Sequence, residues 1–382
     1  MTAQATSSGH GQPVPAGSGT ARRAVDPAFW RGRRVFLTGH TGFKGSWLTC
    51  WLSEMGAQVT GFSLPPATDP SMFDTLSLRD RLAVHHLGDI RDADALRRAI
   101  AAAEPDVVIH MAAQPIISVG YEDPVGTFAT NAMGTVHLLD ACRSLPAETV
   151  ILVVSSDKCY LERGGDHAPY REDDPLGGYD PYSASKAATE VVAHAYLKSF
   201  FSGDRTPRMA SGRAGNVVGG GDWAVNRLVP DMARAFARGE PVVVRNPKAT
   251  RPWQHVIEPL SGYLVLLQAL AEDAAFAGGW NFGPAVRSLP VAEVVRHAVA
   301  AWGGDASAAM SSATQEWREA PVLELDCSRA AERLGWQGIL DIETTIGMTM
   351  DWYKSFSRAG SATAMMDLTL RQIDDYARRA QP

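Results

Sequence analysis

Cysteine is scarce in this sequence and does not cluster: Cys50, Cys142, Cys159 and Cys327 are the only four in 382 residues. Their separation rules out a disulfide framework and offers no metal-ligand pair, so reduced structural thiols and no bound metal are expected. Long apolar runs are also missing. No uninterrupted stretch approaches the roughly 20 residues that span a bilayer, and no apolar segment marks a secretion signal, so no membrane partner and a cytoplasmic location are expected. Nor is there an excess of basic residues. Lys and Arg number 36 against 42 Asp and Glu, a formal charge of -6 with both signs interspersed. Without a basic stripe to neutralise phosphates, nucleic acid is not an expected partner.

What the chain has is the 45% hydrophobic content of an ordinary globular protein. Residues 1–28 are rich in Ala, Gly, Ser and Thr and read as a disordered leader. From Arg33 to about Ala214, short β-branched runs alternate with longer helical patterns: Val35-Phe-Leu, Gln58-Val-Thr-Gly-Phe, Val84-His-His-Leu, Val107-Val-Ile-His, Val150-Ile-Leu-Val-Val and Arg208-Met-Ala-Ser. Runs apolar on both faces and separated by helices predict a parallel sheet covered on both sides, a doubly wound α/β fold. Residues 29–215 are therefore expected to form a dinucleotide-binding domain. After Gly215 the alternation loosens; 216–382 are expected to form a smaller mixed α/β region for substrate, with helices near Leu228 to Arg238 and Leu289 to Trp302.

The first strand runs into a glycine-rich turn, "VFLTGHTGFKGS" (Val35 to Ser46). Gly39, Gly42 and Gly45 allow a tight turn and a close backbone approach, and the helix they open offers free N–H groups to a pyrophosphate. Thr41, Phe43 and Lys44 lie inside the loop and join the cofactor-binding set. So do Asp89 and Ile90 after the third predicted strand, and Ala112 and Ala113 after the fourth. A carboxylate at Asp89 suits an adenine amino group, and it suits a helix N-cap equally well. The acidic residue expected after the second strand is missing, for the chain there reads Thr60-Gly-Phe-Ser-Leu-Pro65. That leaves NAD and NADP undistinguished at the ribose, with His40 and Lys44 as further candidates to decide.

Two further groups carry chemistry. Ser156, Asp157 and Lys158 follow the fully apolar fifth strand, at the carboxyl end where parallel sheets meet their ligands. Tyr182 and Lys186 follow in Asp180-Pro-Tyr-Ser-Ala-Ser-Lys186, where Asp180 caps and Pro181 opens a helix that places them one turn apart on one face. A neighbouring ammonium is expected to lower the tyrosine pKa toward that of a general base.

With these residues in place, the chain resembles the extended short-chain dehydrogenase/reductases and, within them, the CDP-glucose 4,6-dehydratase family. The likeness is carried by "TGHTGFKGSWL", "GDIRD", "HMAAQP", "SSDKCY", "YREDDPLGGYDPYSASK", "RAGNVVGGGDW", "RNPKATRPWQHVIEPLSGYL" and "LDCSRA". Lys158 stands where the related dTDP-glucose enzymes carry glutamate. The resemblance implies NAD as cofactor and a nucleotide sugar, CDP-glucose, as substrate. It gives Tyr182, Ser156 and Lys186 the oxidation at carbon 4, and Asp157 with Lys158 the water loss across carbons 5 and 6, the split between acid and base leaning to Asp157 as acid. Gln114, Asn216, Arg251 and His255 fall in motifs that imply substrate contacts, while Asn131 is read as structural. Ser118 replaces an arginine of the family pattern, and the segment from Leu161 departs from it. Family members pair through two long helices, here roughly Val125 to Arg143 and Tyr182 to Phe200, so a homodimer is expected.

Overall fold

A computed structural model describes residues 21–164, 167–244, 246–284, 288–310, 323–358 and 360–382. The six predicted strands are all present: β1 (Arg34–Thr38), β2 (Gln58–Ser63), β3 (Val84–Leu87), β4 (Val107–His110), β5 (Val150–Val154) and β6 (Arg208–Ala214). A seventh, β7 (Gly278–Phe282), pairs in parallel with β6. The order across the sheet is β7-β6-β5-β4-β1-β2-β3. Every residue of β5, Val150-Ile-Leu-Val-Val154, is buried, as an apolar run covered on both faces should be.

The covering helices follow from the same composition. Helix α1 (Phe43–Glu54) buries Trp47, Leu48, Cys50, Trp51 and Leu52 on nearly every side, so it sits inside the molecule rather than on it. On the opposite face, α2 (Ala93–Ala103) packs on α3 (Gly134–Cys142), which enters through a π-helical turn at Ala129–Met133. Helix α4 (Pro181–Phe200) starts as the sequence requires, with the Asp180 side chain accepting from Ser183 N and Pro181 in the first turn. Two predicted C-terminal helices appear as Leu228–Ala237 and Val291–Trp302.

Two expected boundaries move. The first 20 residues of the expected leader lie outside the described residues, but its last part belongs to the fold: Val25 is buried, Arg23 N donates to Gly335 O at 2.9 Å, and a turn of helix forms at Pro27–Trp30. The expected division at 215 does not divide the sheet, because β7 comes from beyond it. Helix α5 (Ile257–Glu272), buried almost throughout, packs against β5 and β6. The final helix, α6 (Ala362–Ala380), returns to pack on α1. Gly278 and Gly279 read as turn residues in isolation, which is why the sequence does not announce β7.

Candidate active site

The sheet order reverses between β1 and β4, the position where open parallel sheets form their ligand crevice. Here the turn after β1 passes very close to the turn after β4. A Cβ on Gly39, whose φ is +77°, would stand 2.7 Å from Ala112 N. A Cβ on Gly45 would stand 2.1 Å from Gly39 O. Thr38 Oγ1 accepts from the N–H groups of Met111 and Ala112, both at 3.1 Å, and fastens the two turns together. At the start of α1 the cap is Gly42, with no side chain satisfying the first N–H groups. Those donors are available to an anion.

The catalytic candidates converge at the same carboxyl edge. Ser156 Oγ donates to Asp157 Oδ1 at 2.9 Å and accepts from Lys158 N at 3.3 Å. Asp157 is buried, and its Oδ2 has no hydrogen-bond partner among the described residues. Burial pushes this carboxyl above its ordinary range, against the opposing pull of Lys158, the Ser156 hydroxyl and Arg251. Gly215 leaves the space: a Cβ there would be 3.0 Å from Asp157 Oδ2.

Tyr182 and Lys186 are both buried on α4, but the expected lowering of the tyrosine pKa is not found in the protein groups. Burial pushes Tyr182 up to about 12, aided by the Asp157 charge and opposed by the Ser156 hydrogen bond and Arg227. Burial pulls Lys186 down to about 8. Lys44 is turned inward as well. Its Nζ donates to Tyr263 OH at 3.3 Å, and burial beside Lys186 and Arg227 takes it down to about 7. It therefore lies among the catalytic candidates as well as in the glycine-rich turn.

The remaining candidates separate into two groups. Thr41 Oγ1 donates to Leu64 O at 2.8 Å and lies 2.8 Å from Ser63 Oγ, so hydroxyls occupy the end of β2. Phe43 is half-buried in the first turn of α1, and Ala113 is half-buried beyond Ala112. Arg251 is buried with its charge acting on Asp157, and Asn216 stands half-buried with its carbonyl accepting from Gln254 N. Asn131 is structural as expected, its amide bracing the Gln114 backbone and Ser185.

Other residues are not brought to the crevice in the expected way. His255 is wholly buried with its ring edge-on to Trp47, centroids 5.5 Å apart; Nδ1 accepts from Ile257 N, and Nε2 has no partner among the described residues. The Gln114 side chain is consumed locally, donating to Thr127 Oγ1 and accepting from Ile116 N. Ile90 packs against Gly134, where a Cβ would meet its Cδ1 at 2.5 Å. Asp89 is no helix cap, since Asp92 caps α2; its carboxylate holds the Arg91 side chain and N–H, which lowers its pKa. Sequence reasoning missed Arg227 and Glu190. Arg227 pairs with Asp222 at 2.9 Å and its charge reaches Tyr182 and Lys44. The i,i+4 spacing from Lys186 to Glu190 was the available signal for the second.

Comparison with known proteins agrees with this geometry. The family described as GDP-mannose 4,6 dehydratase matches residues 36–349. A CDP-glucose 4,6-dehydratase of Salmonella typhimurium is 47% identical over 358 residues, covering 92% of this chain and 98% of the relative. A dTDP-glucose 4,6-dehydratase of Xanthomonas campestris is 25% identical over 333 residues, covering 83% and 92%. Among solved structures, the UDP-glucose-4-epimerase of Stenotrophomonas maltophila, with bound NAD and formylated UDP-arabinopyranose, superposes with a TM-score of 0.73 at 23% identity, covering 86% of this chain and 99% of that one. The chain belongs to the GDP-mannose 4,6-dehydratase family, on the extended short-chain dehydrogenase/reductase fold.

Proposed function

We propose that the protein is an NAD-dependent CDP-glucose 4,6-dehydratase, converting CDP-glucose to CDP-4-dehydro-6-deoxyglucose. The observation that carries the reading is Asp157: a buried carboxyl, pushed upward by its surroundings, hydrogen-bonded to Ser156 beside Tyr182. Oxidation and re-reduction at carbon 4 alone need no such acid, whereas elimination needs one to protonate the departing hydroxyl. The Salmonella relative, aligned along nearly its whole length, supports the nucleotide and the hexose.

The residues present fit a dinucleotide. The glycine cradle admits backbone only, the uncapped first turn of α1 offers donors to the diphosphate, and Ser63 to Pro70 contains no cation for a 2′-phosphate, which favours NAD. When bound, the cofactor accepts hydride from carbon 4 and returns it at carbon 6. The chain does the rest. Lys186 holds the ribose side and Tyr182 takes the proton of the carbon-4 hydroxyl, with Ser156 bonded to the same oxygen. The ketone so formed acidifies carbon 5, from which Lys158 removes the proton while Asp157 gives its own to the hydroxyl leaving carbon 6; Lys158 then returns its proton to carbon 5 as carbon 6 is reduced. Arg251 and Asn216 serve the nucleotide diphosphate and sugar.

We place the enzyme in the cytoplasm, as a homodimer through α3 and α4; no described helix is long and apolar enough to cross a membrane. Val191 on α4, at 57% exposure, and Val125 and Met133 on the short helical turns that lead into α3, at 79% and 49%, offer an apolar surface there. Incubation with CDP-glucose and NAD should yield a 4-keto sugar, detected by its chromophore in alkali. Product from a different nucleotide hexose alone would overturn the substrate, and a product epimerised at carbon 4 with carbon 6 intact would overturn the reaction.

A further inference from the structure

Tyr160 closes the turn that carries Asp157 and Lys158, and it is wholly buried. Its hydroxyl is used both as donor and as acceptor. It donates to Asn281 Oδ1 on β7 at 2.6 Å and accepts from Arg213 Nη1 on β6 at 2.8 Å. Both partners are themselves held. The Asn281 amide nitrogen donates to Tyr170 O at 2.9 Å and to Asp326 O at 3.1 Å, which leaves Oδ1 facing Tyr160. Arg213 donates to Glu190 Oε2 at 2.8 Å and to Glu172 O at 2.9 Å. The Tyr160 ring lies stacked on Tyr170, centroids 5.0 Å apart and planes 9° from parallel. A ring fixed on its face and at its tip fixes the backbone that bears it.

That backbone is the single turn Asp157–Cys159. At its back, Tyr160 N donates to Asp157 O at 3.4 Å and Gly177 N to Cys159 O at 2.9 Å. Among the described residues no hydrogen bond or ion pair holds the Lys158 ammonium, so the backbone of the turn aims it. Ser156 stands at the other end, next to Ser155, whose N–H is paired with Gly212 O of β6 at 2.8 Å. We infer that Tyr160, gripped by Arg213 and Asn281, is a positioning residue for the elimination step: it holds the turn so that Asp157 and Lys158 reach carbons 6 and 5. Oxidation at carbon 4 depends on it less, because Ser156 is anchored through the sheet and Tyr182 through α4. The inference rests on the dehydratase reading of the site. Proton transfer is steep in geometry, a misplacement of about 1 Å costing up to about a hundredfold.

The test is Tyr160→Phe in the full chain, which keeps the ring on Tyr170 and removes only the hydroxyl. In a single turnover of CDP-glucose with NAD, reduced-nicotinamide absorbance rises with oxidation at carbon 4 and falls when hydride returns after water loss. Both are first-order rates, so neither depends on how much of the protein has folded. The rise should stay within about twofold of the wild type and the fall should slow about tenfold, with product appearing at the slower rate. Rise and fall slowed by one common factor would mean a general loosening of the site and would overturn the inference. So would a lowered thermal midpoint with both rates unchanged, the result of a purely structural hydroxyl. A wild type that reduces NAD without losing water from the sugar would refute the dehydratase reading and this inference with it. A wild type that completes the cycle, matched by Tyr160→Phe in both rates, would refute the inference alone.

Discussion

At Asp157 the environment selects the role. Burial pushes the Asp157 carboxyl above its ordinary range, in the direction that the proposed acid role requires. Asp157→Asn keeps the shape and removes the acid proton. Formation of 4-keto product should fall about a hundredfold or more, while reduced-nicotinamide absorbance still reports oxidation of bound CDP-glucose; unchanged product formation would rule out the acid role. A second buried carboxyl lies away from the chemistry. Glu258 accepts from the N–H groups of Ile339 and Leu340, and burial lifts it from 4.5 to about 7. The folded protein thus keeps a proton that the unfolded chain releases from about pH 4.5 upward. The stability this represents is fully present below 4.5 and lost as pH rises through 7, about 3 kcal/mol in all. Urea unfolding at pH 5 and pH 8 should show that slope in the wild type and a flatter one in Glu258→Gln. Residue identity could reveal Tyr182, Lys186 and Ser156, because strand-end and helix spacings fix their direction. It could not reveal that His255 points into the core beside Trp47, since a motif states a residue type and not which way the side chain faces.

Among the elements, the turn from β1 into α1 is the most constrained. Its glycines are required by contact rather than by flexibility alone, since a Cβ on Gly45 would collide with the Gly39 carbonyl. Gly45→Ala must displace the Gly39 carbonyl, at an overpacking cost of about 2 kcal/mol. NAD binding, followed by fluorescence quenching, should be lost or severely weakened even where circular dichroism remains native; normal affinity would mean that the turn yields more readily than its contacts imply. This turn, the six early strands and α4 were legible because each combines a hydrophobic period with a local start or stop signal. β7 was not. A Gly-Gly start and a partner 68 residues upstream leave no local trace of a strand that is built by pairing.

For the whole molecule, pairing of two copies is the property most open to test. Val125 projects into solvent from the short helix Pro124–Phe128, so Val125→Asp should leave the monomer fold within about 0.5 kcal/mol of the wild type. Light scattering should nonetheless give half the wild-type mass, and an unchanged mass would show that the copies meet elsewhere or that the protein is a monomer.

The seventh strand also has a consequence for synthesis. Until β7 leaves the ribosome, β6 has an unpaired edge, and an open strand edge is a template for pairing with another chain. The emerging N-terminal half therefore cannot finish its own sheet, and nascent chains crowded on one message are most prone to aggregate after Ala214 has emerged and before Phe282 follows.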